Sequence, residues 1–279
     1  MSTLQNNEID KASKIRNGEP IEVCGITLYP ILMSQYELFT ACRDALTLRL
    51  SSLPVRYMTK DYLNAIFALE CDNLQNPEAD KKNVGFFYRT MALFYASMRT
   101  DAEEFAKLGE NVFYAEHHGD IVIDHIAVTN KDGETVNITP QDFSAFIRPL
   151  IAEMNGLELP NESQNIDLIK AAEEKKKLNS SNVNLDYNIN DLIASVAYHS
   201  HCSEREVNSW TVREFEARRR AIDRDKRYML NASAELSGMV KFEKGNPAPS
   251  WCFDVLDDSF GTRPLSEIGK MLGGVMQAK

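Results

Sequence analysis

Apolar residues recur at helical spacing through much of the first third of the chain. Ser34 to Leu50 carries Tyr36, Leu38, Phe39, Cys42, Leu46, Leu48 and Leu50, a wide apolar face that predicts a helix. Pro54 interrupts, and Thr59 opens a second such run with Tyr62, Leu63, Ile66, Phe67 and Leu69. A polar loop, NPEADKKN, separates it from a third run between Val84 and Leu108, which holds Phe86, Phe87, Met91, Phe94, Tyr95, Met98 and Phe105. Ahead of these, residues 1–20 are polar and end on Gly18 and Pro20, which reads as a flexible arm. Ile21, Val23, Ile26 and Leu28 then alternate enough for a short strand.

The pattern changes after residue 110. Asn111–Tyr114, Ile121–Val128 and Thr135–Ile138 are β-rich, and Asp132-Gly133 between the last two is a hairpin turn signal. Thr139 followed by Pro140 predicts a capped helix start. The helix runs to Asn155 with Phe143, Phe146, Ile147, Leu150, Ile151 and Met154 on its apolar side, and Gly156 stops it. The expected fold class is α+β, mainly α: a helical amino-terminal unit, a small β-hairpin region and a helical carboxy-terminal module. The expected division is an arm at 1–20, an α+β domain at 21–160, a polar linker at 161–190, a helical module at 191–244 and an extended tail at 245–279.

That carboxy-terminal module holds the most deliberate local signals. Asn190 precedes a short apolar helix with Leu192, Ile193, Val196 and Ala197. Ser203-Glu204-Arg205-Glu206 and Thr211-Val212-Arg213-Glu214 are both capping boxes, so a short helix should turn into a long one at Trp210. On the long helix Phe215, Ile222 and Met229 fall seven apart, a narrow seam for one packing partner. Glu204 to Arg227 contains eight basic and six acidic residues, and Glu214 and Glu216 stand four before Arg218 and Arg220. The arginines are thus expected to be largely self-paired. Trp210, Phe215, Arg218, Arg219, Ile222 and, beyond the helix, Trp251 are the candidate partner-binding residues.

Charge narrows the function. A formal net charge of -10 argues against a nucleic-acid partner, which needs a basic surface. A helix–turn–helix reading would place Val212, Arg213 and Glu214 at the bases, and the intervening short helix spoils its spacing. Five dispersed cysteines without a CxxC pair suit reduced thiols. No secretory signal or membrane span is evident, so the expected location is the cytoplasm, with no membrane partner.

Chemistry is sparse. Glu116-His117-His118-Gly119-Asp120 with Asp124 and His125 has metal-ligand residue types, but it reads better as a polar turn between strands. A regular strand would send Asp124 and His125 to opposite faces. His199, His201 and Cys202 cannot converge on a continuous helix, where positions two apart diverge by about 200°. Phosphate-loop, nucleophile-elbow and HExxH patterns are missing. No catalytic residue, metal or cofactor is expected.

The stretch Ser203-Glu-Arg-Glu-Val-Asn-Ser-Trp210-Thr211-Val-Arg-Glu214-Phe215 resembles the carboxy-terminal region of phage tail assembly chaperones and related tail-cluster proteins. Thr139-Pro-Gln-Asp-Phe143 through Ile151 to Pro160, and Leu236 to Phe242 ahead of Trp251, are similar to clostridial-type phage proteins of this group. The resemblance implies a non-catalytic protein that binds the tape-measure protein and tail-tube subunits during assembly in the bacterial host. The extra length of this chain also leaves room for a structural role in the tail, and a homo-oligomer is a separate open alternative.

Overall fold

The computed structural model describes residues 3–76, 84–100, 102–117, 119–162, 188–238, 241–242 and 250–252. The fold is α+β and mainly helical. The chain divides into two units, residues 1–163 with 187–219, and residues 164–186 with 220–279.

In the first unit the expected arm is instead a helix, α1 (Thr3–Asn17). Its anchor is Ile15, which is buried, and Lys11 reaches Glu153 at 2.7 Å. Among the described side chains, Ile15 and the Lys11–Glu153 pair tie a mostly polar helix to the unit, which is why periodicity did not mark it. Strands β1 (Ile21–Val23) and β2 (Ile26–Leu28) follow as a tight antiparallel hairpin. Its two-residue turn has both Cys24 and Gly25 at positive φ (50° and 79°), the mirror-image turn that matches strand twist.

Helices α2 (Tyr36–Leu46), α3 (Val55–Met58), α4 (Tyr62–Gln75) and α5 (Phe86–Met98) supply a large share of the core. The helix α2 stops short of the predicted Leu50. The Arg148 guanidinium donates to the carbonyl of Leu46, the last residue of the helix, and to that of Leu48 just beyond it, at 2.8 and 2.9 Å, which holds the chain as it leaves the helix. This arginine is itself buried and lies 3.6 Å over the Tyr62 ring. The start of α4 is set by Asp61, whose carboxylate accepts from the Asn64 amide at 3.0 Å, rather than by Thr59. The third predicted helix breaks after Met98 at Arg99, a left-handed residue. It resumes as α6 (Ala102–Ala106) and α7 (Leu108–Asn111).

Strands β3 (Val112–His117), β4 (Asp120–Thr129) and β5 (Thr135–Ile138) form an antiparallel sheet in that order. The turn between β4 and β5 is built by Asn130, whose side-chain oxygen accepts from the amides of Asp132 and Glu134, with Gly133 at φ 80°. Pairing of β3 with β4 skips Asp124: Phe113 faces His125 and Tyr114 faces Ile123. This bulge shifts the alternation by one residue, so that both Ile123 and Ile126 are buried.

Beyond β5, Thr139 caps α8 (Pro140–Asp142) as expected, its hydroxyl accepting from the Asp142 amide at 3.1 Å. A π-wound turn (Phe143–Ile147) then leads into α9 (Arg148–Met154). Pro149 explains the turn, since proline offers no amide to the preceding turn and its ring crowds the carbonyl there.

The carboxy-terminal helices are α10 (Ile189–Ser200), α11 (Glu204–Ser209) and α12 (Val212–Leu236). The cap of α10 is Asn188, two residues before the expected Asn190. They do not form a separate module at 191–244, because α10, α11 and the first two turns of α12 belong to the first unit. Leu32 and Thr211 pair as an antiparallel bridge, with the Met33 amide on Trp210 O and the Val212 amide on Ile31 O, both 2.9 Å. Ile31 is fixed from its other side by the Asn155 side-chain oxygen, which accepts its amide at 2.8 Å. The rest of α12, from Arg220, belongs to the second unit. Residues 163–187 of the expected linker, and the expected tail apart from Ser250–Cys252, lie outside the described residues.

Candidate interaction surface

The corner between α11 and α12 is set by local chemistry. Ser203 forms a complete capping box: its hydroxyl accepts the Glu206 amide, and Glu206 accepts the Ser203 amide at 2.8 Å. Those bonds from the Ser203 backbone and side chain hold the Glu206 carboxyl below its ordinary range. The second predicted box is half made. Thr211 Oγ1 accepts the Glu214 amide at 3.1 Å, while the Glu214 carboxylate turns outward to Arg218 at 3.0 Å.

Trp210, half-buried at the end of α11, carries the Arg218 guanidinium 4.1 Å over its ring. Arg219 pairs with Glu216, three residues back, where the sequence pointed to Arg220 as that glutamate's partner. Tyr36 also donates to Glu216 at 3.4 Å. Of the six candidate residues, the structure thus joins Trp210 and Arg218 directly and ties Arg219 to the fold.

Phe215 is corrected outright. It is fully buried, edge-on to Tyr36 with ring centroids 6.0 Å apart, and is a core residue that no partner can reach. The seam it begins changes character along the helix. Ile222 is half-buried, Met229 is 56% exposed, and Leu236, seven further on, is 89% exposed. Leu236 extends the spacing of the seam by one more step and could have been found from the sequence. Around this distal stretch stand Arg220, Arg224, Lys226 and Arg227 against Asp223 and Asp225, with Arg227 paired to Asp223 at 3.1 Å. Trp251 is 61% exposed, and its carbonyl accepts from Arg224 Nε at 2.9 Å, which places it beside α12 within the second unit.

The residues with metal-ligand chemistry do not gather. Among the described residues no group of three or more His, Cys, Asp or Glu side chains could hold a metal ion. His118 lies outside them, His117 pairs across the strands with Asp120, and Asp120 is bound by Lys60 at 2.8 Å. Asp124 and His125, expected on opposite faces, do meet, at 2.8 Å, because the bulge turns both outward. His201 is left-handed and ends α10, so His199 and His201 stand on either side of a helix terminus. An open groove of about 310 Å³ is lined by Thr27, Tyr29, Arg99, Thr100 and Lys131 among others. Its cations are already engaged, Arg99 over Tyr29 and Lys131 with Glu22.

These features define an α+β protein with exposed apolar residues, Met229 and Leu236, on a long helix whose basic residues lie earlier along it, between Arg220 and Arg227. Among the described residues no helix is long and apolar enough to cross a membrane. No family model, curated protein or solved structure matches the chain.

Proposed function

We propose that this chain is a non-catalytic phage tail assembly chaperone or tail-associated protein that binds tape-measure or tail-tube subunits. The observation that carries the reading is the exposed apolar seam on α12 beyond Arg219, at Met229 and Leu236. A seam with this seven-residue spacing is suited to cover by a second helix laid along it. The basic residues that precede it, from Arg220 to Arg227, favour an acidic stretch on a partner that reaches back along the helix. The resemblance of Ser203–Phe215 to tail assembly chaperones supplies the identity of that partner.

Co-expression with the tape-measure and tail-tube proteins of the same genome tests the proposal. Co-purification of either is expected, together with its loss when Met229 and Leu236 are both changed to Glu while helical content stays constant. If neither tail protein co-purifies and purified virions also lack the chain, the proposal fails.

A further inference from the structure

The β3–β4 hairpin offers a second surface, independent of α12 and lying wholly within the first unit. Strand β3 is an edge of its sheet, and among the described residues no backbone group bonds to its outer side. Soluble proteins block such edges with lysine, proline or a bulge on the edge strand itself. Val112–His117 has neither lysine nor proline, and the extra residue of the bulge, Asp124, sits on β4 instead.

Both faces of this open edge carry an aromatic shelf. On one, Phe113 is 46% exposed and stacks on the His125 ring at 4.5 Å and 10°. On the other, Tyr114 is 49% exposed and stacks on Phe67 of α4 at 5.3 Å. Phe67 meets Phe87, which meets the exposed Tyr88, so the second shelf continues onto α5. A strand added to β3 would present alternate side chains to the two faces, and each set would find a ring beside it.

Charge selects the occupant. Between Val112 and Thr129 stand Glu116, Asp120 and Asp124, with no lysine or arginine. Lys60 compensates Asp120 and His125 faces Asp124, while Glu116 meets no lysine or arginine among the described residues. A second copy would bring a second uncompensated Glu116 and no lysine or arginine on its own β3 edge, so it offers Glu116 no partner there. We propose that the β3 edge receives an extended segment of a partner protein, apolar at alternate positions and bearing Lys or Arg between them.

The full chain can be titrated with fluorescein-labelled seven-residue peptides that alternate valine with lysine, or valine with glutamate. The lysine peptide is expected to bind at least tenfold more tightly and to slow amide exchange across residues 112–117. Ala115→Pro should weaken it at least tenfold by blocking the edge. Phe113→Lys, which leaves the backbone intact, should do the same where the proline variant disturbs the sheet. Equal binding of the two peptides, or exchange in 112–117 unchanged by peptide, would overturn the proposal. So would a dimer in which those amides are already slow without peptide, because a second copy would then hold the edge.

Discussion

The two halves of α12 share one helix and one seven-residue spacing, yet they meet opposite fates. Phe215, in the first two turns, is fully buried and edge-on to Tyr36. Met229, two steps along the same seam, is mostly in water. Periodicity therefore told where a face lies but not whether the protein itself covers it. Burial is decided by a partner element, and for Phe215 that partner is a segment far away in sequence.

The sharpest way to break this comparison is to truncate the seam at both positions. Phe215→Ala should cost about 3–5 kcal/mol of unfolding free energy, as for other fully buried phenylalanines. Met229→Ala should stay within about 0.5 kcal/mol, the ordinary range for surface substitutions. Urea unfolding of the two variants checks this, and similar losses for both would mean that the distal seam is already covered.

A smaller contrast separates the arginines. Arg148→Lys keeps the charge but loses the fork that ends α2, and should cost about 1.5–3 kcal/mol in the same measurement. Arg227→Ala removes an exposed pair with Asp223 and should change stability by less than about 1 kcal/mol.

The smallest effect is one of pH. Burial pushes the Glu162 carboxyl up, but the amides of Ser51 and Leu50, with Arg49 nearby, outweigh it and hold the group below its ordinary value of 4.5. A folded-state value lower than the unfolded one gives stability that is full above the unfolded value and is lost as pH falls through the folded one. The stability gap between the native chain and Glu162→Gln should therefore be constant near neutrality and close below about pH 4.5. A gap that widens on acidification would show that Glu162 does not clamp Leu50 and Ser51 in solution.

Much of the fold was legible because the signals were local. Helix faces from Tyr36 to Leu46 and from Tyr62 to Gln75, the Asn130–Gly133 turn, and the caps at Thr139 and Ser203 all depend on residues within a few positions of one another. What escaped depended on distant partners. α1 is helical by virtue of Ile15 and Lys11 meeting the rest of the unit, and the end of α2 belongs to Arg148. The bulge at Asp124 inverted the expected facing of Asp124 and His125. The candidate surface was half legible: Ile222 and Met229 followed from spacing, whereas Phe215 could be recognised as core only once Tyr36 lay beside it. The aromatic edge of β3 carried no sequence signal, since nothing in Val112–His117 says which strand will be outermost.

The bridge between Leu32 and Thr211 also sets a clock. During synthesis the segment around Ile31 leaves the ribosome long before its mate exists. At about 5–20 residues per second the roughly 180 intervening residues take on the order of 10–40 s to make. For that interval the nascent first unit must wait with Ile31 and Met33 uncovered, so translation speed between them becomes a determinant of yield.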